Sequence, residues 1–155
     1  MIPNRFEGMN NESDMETPAA YLWCGRADKQ AKIHDNIRRY MFFEGSGGCP
    51  GNNDTGGLSS WYVLSTLGLY PLTGTPYCLL TSPSVKKASI KVAGGILNIE
   101  VERESETAIY PAGYQFNGED FHEPYIPLEK LLAGGVLKFV LKDTPQEQSI
   151  IPDWL

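Results

Sequence analysis

The apolar residues of this chain change period near Pro71, and that change limits the fold more than any single motif does. Before it, Ile33, Ile37, Tyr40 and Met41 fall at i, i+4, i+7 and i+8, one stripe of an amphipathic helix. After it, Ala88, Ile90 and Val92 alternate with Lys87, Ser89 and Lys91, and Leu97, Ile99 and Val101 alternate with Asn98, Glu100 and Glu102. Gly94-Gly95 separates the two alternating runs, so together they predict a β-hairpin. A helical half followed by a sheet half implies an α+β fold or two joined domains. The boundary falls within "YPLTGTP", dividing the chain into 1–71 and 72–155.

Three helices are expected in the first part. One covers about Thr17 to Cys24 and stops at Gly25. The second starts with Asp28 as its N-cap and is ended by "EGSGG" after Phe43. Its His34 lies in a polar stretch and is expected on the solvated face. The third runs from about Gly57 to Gly68 and is apolar nearly all round, with Leu58, Trp61, Tyr62, Val63, Leu64 and Leu67. Such a helix belongs in the interior of something larger. So few helices cannot enclose it, which leaves packing on the sheet or membership of a larger helical domain; the second reading is adopted. In the β part, "YCLLT" at 77–81 and "VLKFVL" at 136–141 read as further strands, the latter entered through the Ala133-Gly134-Gly135 turn.

Composition narrows the partners. A net charge of −6 on 155 residues argues against nucleic acid, since phosphate binding needs clustered Lys and Arg. No apolar run approaches the roughly 20 residues that span a bilayer. The opening "MIPNRFEGMNNESDM" has no apolar stretch, so a secretion signal, if the natural protein has one, is expected outside this chain. Cys24, Cys49 and Cys78 lack metal or disulfide spacing and are expected to be buried thiols.

Two loops concentrate polar residues. "EGMNNESDMETP", residues 7–18, offers compact oxygen donors of the kind hard cations take. It lacks EF-hand spacing, and on spacing alone an acidic turn capping the next helix is the favoured reading. "CPGNNDTGGLSSWY", residues 49–62, presents Asp54 just before a helix. Asp54 or Thr55 could serve as an N-cap, yet a cap needs one residue rather than a long glycine-rich approach. A carboxylate held there beside aromatic rings also suits sugar recognition or general-base work. No G-x-S-x-G, P-loop or G-x-G-x-x-G is present.

The segments "GMNNESDMETPAAYLWCGRADKQ", "GSGGCPGNNDTGGLSSWYVLSTLGLYPLTGTPYCLLTSPSVKKASI" and "YIPLEKLLAGGVLKFVL" resemble, in order, the C-terminal part of glycoside hydrolase family 92. These are calcium-dependent, exo-acting, inverting α-mannosidases. The resemblance implies the last helices of an (α/α)6 barrel followed by a returning β-sandwich-type segment. It makes Asp54 the catalytic base, Asn11 and Glu12 ligands of Ca²⁺, and Asn52, Asn53 and Glu16 substrate-binding residues. Glu7 and Glu16 would approach the leaving sugar. Many members carry an acidic residue where this chain has Asn52.

The implied substrates are mannose-containing glycans, with α-1,2 linkage the named expectation although the residues that meet the leaving sugar lie mostly elsewhere. The general acid of the family lies upstream of the calcium motif, so the remainder of a parent polypeptide is an implied partner and the chain alone is expected to be inactive. A periplasmic, cell-surface or secreted bacterial location is implied. The competing readings are a non-catalytic carbohydrate-binding or interaction module, using Tyr110, Tyr114 and Phe116, and a truncated product without function.

Overall fold

Helices occupy the chain as far as Thr66 and strands dominate from Leu69 onward in the computed structural model, which describes residues 9–146. The fold is α+β with two sheets. The switch between the halves is made at Gly68, whose φ of +81° favours glycine and where a Cβ would stand 2.9 Å from Cζ of Phe139. The first strand thus begins at Leu69, where a helix end was expected.

The helical part comprises α1 (Glu12–Glu16), a 3-10 turn at Thr17–Ala19, α2 (Ala20–Trp23), α3 (Ala27–Tyr40) and α4 (Gly57–Thr66). The helix α1 lies within the polar stretch 7–18, where its sequence suggests a loop. The N-cap of α3 is Arg26 rather than Asp28. Asp28 lies in the first turn and forms a 2.7 Å ion pair with Arg26, where a negative charge is favoured by the helix dipole.

The strands are β1 (Leu69–Pro71), β2 (Tyr77–Leu80), β3 (Lys87–Val92), β4 (Gly95–Arg103), β5 (Tyr110–Phe116), β6 (Glu119–Phe121), β7 (Tyr125–Pro127) and, after the short α5 (Leu128–Leu132), β8 (Gly135–Lys142). The small sheet has the order β1-β2-β7 and the large one β3-β4-β8-β5-β6. Val92 pairs with Gly95, so Ala93-Gly94 forms the hairpin turn between β3 and β4. Strand β8 lies parallel to β4 and antiparallel to β5. Its alternate residues Leu137, Phe139 and Leu141 are buried with Leu97 and Ile99 of β4, as period-two alternation requires. Leu79 of β2 packs with Ala19, Leu22 and Ala27, so the helices do rest on the small sheet.

The buried face of α3 includes the expected Ile33, Ile37 and Met41, which pack with Leu58 and Trp61, but it also carries a polar stripe that periodicity does not predict. Gln30, His34 and Arg38, spaced four apart, are buried, whereas Tyr40 is 64% exposed. Arg38 explains the polar stripe. Its guanidinium donates to the carbonyls of Ser65 and Ser82, both at 2.8 Å, and Ser65 is in the last turn of α4, where a cation suits the helix dipole. His34 lies against Trp61 with ring centroids 5.0 Å apart. The expectation of a solvated His34 is therefore wrong, because the stripe it belongs to faces the α3–α4 seam. Of the three thiols only Cys78 is buried; Cys24 is exposed and Cys49 half-buried.

Burial, then the charge of Arg38, holds His34 down at about 3 from its usual 6.5. The unfolded chain therefore takes up a proton on this side chain first as pH falls. Stability contributed by neutral His34 is complete above about pH 6.5 and is lost by about 1.4 kcal/mol per pH unit below it, on the way to pH 3. Urea midpoints at pH 7, 6 and 5 should fall less steeply for His34→Gln than for the native chain. Parallel slopes would contradict the burial of a neutral imidazole.

Candidate active site

The two polar loops, some forty residues apart in sequence, meet in the structure. The first is anchored by Met9, which is buried with Ile37, Leu58 and Trp61. Immediately after it, Asn11 is the N-cap of α1. The Asp14 carboxylate accepts from the backbone N–H groups of Asn10 at 2.8 Å and Asn11 at 3.1 Å. This sets the Asn10-Asn11 backbone and engages Asp14 in local structure. Glu12 opens α1 and Glu16 closes it, both exposed.

The second loop is anchored through Leu58 and Trp61 on the same cluster, with Phe42 stacked on Trp61 at 6.1 Å between ring centroids. Gly51 brings it against the first loop. Its φ is +59°, and a Cβ there would lie 2.3 Å from Asn10 Cα, so only glycine permits this approach. Asn52 then donates its backbone N–H to Asn10 O at 2.9 Å and its side-chain Nδ2 to Asn11 Oδ1 at 3.1 Å.

The N-cap of α4 is Gly56, in left-handed backbone and without a side-chain cap, and the side chain that reaches the first turn is Asn53. Its Oδ1 accepts from Ser59 N at 3.0 Å and its Nδ2 donates to Ser59 Oγ at 2.8 Å. Its side chain thereby satisfies one of the free N–H groups in the first turn of α4, the work of a cap. Neither Asp54 nor Thr55 does this, so the capping expectation for those two residues is corrected. The sequence carried a usable signal, an Asn ahead of a helix whose third residue is Ser. Asp54 stands exposed at the head of a 3-10 turn, Asp54–Gly56. Its carboxylate has no hydrogen bond or ion pair among the described residues. Thr55 follows at φ +50°, ψ +21°. A β-branched residue in this left-handed region is strained by about 1–3 kcal/mol. The backbone of Asp54 is therefore held on one side by the Asn53 clamp and on the other by a constrained turn, with its side chain exposed.

The remaining predicted residues are placed as follows. Glu16 lies toward Tyr70, whose hydroxyl is pushed up to about 12 by burial and then by the Glu16 charge. Glu7 lies outside the described residues. Tyr114 is buried in the large sheet, edge-on to Phe139 at 5.7 Å, and Tyr110 and Phe116 are half-buried. Asn11 Oδ1 and the Glu12 carboxylate are hard oxygen donors and fit Ca²⁺ in kind. Asn11 Oδ1 accepts from Asn52, and the Asn11 side chain also closes a capping box with the backbone of Asp14, so it is already engaged within the loops. Among the described residues no three His, Cys, Asp or Glu side chains converge on one point, so these two supply only part of the six to eight oxygens such an ion takes.

Comparison with known proteins places this chain among the glycoside hydrolases. The model of the glycosyl hydrolase family 92 catalytic domain matches residues 4–143, and the chain belongs to that family. Its structure is similar to that of a family GH92 α-mannosidase from Bacteroides thetaiotaomicron in complex with mannoimidazole, with a TM-score of 0.85 and 20% identity over 94% of this chain and 19% of the other. It is also similar to a family GH92 inverting mannosidase from Bacteroides thetaiotaomicron VPI-5482, with a TM-score of 0.77 and 27% identity over 91% of this chain and 20% of that one. An uncharacterized secreted glycosidase of Arthroderma benhamiae is 28% identical over 138 residues, which is 86% of this chain and 18% of that protein. The chain thus spans about a fifth of the length of these relatives. Among the described residues no helix is long and apolar enough to cross a membrane.

Proposed function

We propose that the chain forms the base-bearing part of the active site of an inverting, exo-acting α-mannosidase that removes terminal α-linked mannose, with α-1,2 linkages the expected substrate, from glycans. The observation that carries this reading is the junction of the two loops through Asn52, Asn10 and Asn11, which gathers a free carboxylate and a hard-oxygen loop into one region. The inverting mannosidase among its structural relatives supports it.

In this reading Asp54 is the general base. Water attacks the anomeric carbon from the face opposite the leaving group and gives its proton to Asp54 as the new C–O bond forms. The glycosidic C–O bond breaks, and its oxygen takes a proton from an acid supplied by the rest of the parent polypeptide. Inversion needs the two carboxyl groups roughly 6.5–9.5 Å apart to admit that water. Asn11 and Glu12 would hold Ca²⁺, which when bound supplies contacts to mannose hydroxyls and favours a distorted ring. Asn52 and Glu16 border the sugar. The amide of Asn53, engaged by Ser59, contributes by positioning Asp54.

Residues 1–71 would then be the last helices of an (α/α)6 barrel and 72–155 the returning β-sandwich segment. Export agrees with the secreted relative, and the reading proposed is a bacterial enzyme that is periplasmic, surface-bound or secreted. The module reading is disfavoured because Tyr114 is part of the sheet core. The full-length polypeptide should release mannose from α-mannosides. The 155-residue chain alone should release none, with or without calcium. Turnover by the isolated chain that Asp54→Asn abolishes would show the acid to lie within it.

A further inference from the structure

We infer that Thr55 is a positioning residue for the catalytic base, an inference that rests on the function proposed above. Two residues other than glycine have positive φ among the described residues, Thr55 at +50° and Asn117 at +52°. Asn117 is of a type that enters this region readily, and its Oδ1 accepts from Val136 N at 2.8 Å. Thr55 has neither advantage. It is β-branched, its side chain is exposed, and its hydroxyl forms no hydrogen bond among the described residues. Its loop neighbours Gly51 and Gly56, also at positive φ, are glycines. The strained position of the loop is therefore the one next to Asp54, and strain of this kind persists where the surrounding structure imposes it.

The turn does impose it. Gly56 N donates to Asn53 O at 3.0 Å, closing over Asp54 and Thr55, and Asn53 is tied to Ser59 through both ends of its amide. A glycine would fit the same turn without strain but could also leave it for many other backbone states. Threonine occupies a narrow left-handed well and is stiff at χ1, so the closed turn leaves it few alternatives. Asp54 is thus enclosed between the Asn53 clamp and a stiff residue, which narrows the reach of its carboxylate toward an attacking water. Misplacing a reacting group by about 1 Å can cost about 10²-fold in rate, and that is the loss Thr55 guards against.

Thr55→Gly in the full-length enzyme tests this by steady-state kinetics and thermal melting. Its kcat should fall on the order of ten- to a hundred-fold with KM unchanged, while its melting temperature does not fall, since strain is relieved. Thr55→Val, β-branched but without the hydroxyl, should restore most of the lost turnover. In an Asp54→Asn background Thr55→Gly should lower kcat no further, because the group it positions is gone. Native kcat in Thr55→Gly beside an impaired Asp54→Asn would overturn the role of Thr55 and leave the base standing. Equal losses in Thr55→Val and Thr55→Gly would assign the effect to the hydroxyl and overturn the role of stiffness. A melting temperature that falls together with kcat would make the loss structural and overturn the inference as well. Native turnover in Asp54→Asn would overturn the base and the inference together.

Discussion

Asp54→Asn in the full-length enzyme is expected to lower turnover by about 10²–10⁴-fold, the usual contribution of a general base, while KM and melting temperature stay nearly unchanged. The expectation of unchanged stability comes from the capping geometry. Asn53, not Asp54, binds the first turn of α4, and the Asp54 side chain is exposed without a partner among the described residues. Asn53→Ala should show the converse pattern in stability, losing about 1 kcal/mol with the cap. Melting curves and steady-state kinetics on the two variants separate the roles. A destabilised Asp54→Asn variant with native turnover would make the carboxylate structural.

Gly51→Ala should be among the most damaging small substitutions in the chain, costing on the order of 3 kcal/mol or more. Two penalties combine. A Cβ at φ +59° strains the backbone by about 1–2 kcal/mol. That Cβ would also lie 2.3 Å from Asn10 Cα and 2.6 and 2.7 Å from the Asn10 and Met9 carbonyl oxygens. All three are backbone atoms and cannot swing aside, so the loops must part and lose the Asn52 hydrogen bonds. Gly47 is the control, with φ +85° and nothing within 4 Å of a Cβ; Gly47→Ala should cost only the conformational part. Urea midpoints of both variants measure the difference, and equal losses would show that the loop junction is not tight.

The sheet half was largely legible in the sequence because its strands alternate. The β3–β4 hairpin follows from period two, and the apolar runs at 77–81 and 136–141 mark β2 and β8. Strands β5 and β6 were missed although a direct signal was present. Asn117-Gly118 joins them, both residues have positive φ, and Asn-Gly between paired strands marks a two-residue hairpin. The Pro111 and Gly113 of β5 obscured it, and the register indeed shifts between those two residues. The short β1 and β7 carry too few residues for any period to show.

The helical half was legible as helices but less so in its faces. Periodicity assumes that polar residues face water, and the Gln30–His34–Arg38 stripe breaks that assumption because carbonyls at the end of α4 and near β2 accept from Arg38. In the candidate site, the individual loops could be read from their residues, and family resemblance assigned Asp54, Asn11 and Glu12. What no spacing rule showed was the contact between the loops. That contact depends on Gly51 having no side chain and on Met9, Leu58 and Trp61 sharing one core, and both are facts of tertiary packing.

The anomeric configuration of the first product tests the central claim most directly. The full-length enzyme would be mixed with an aryl α-mannoside and followed by ¹H NMR before mutarotation scrambles the signal. If Asp54 activates water on the face opposite the leaving group, β-mannose appears first and α-mannose grows in only at the rate of mutarotation. If α-mannose appears first, configuration is retained, and Asp54 is not the base of an inverting mannosidase.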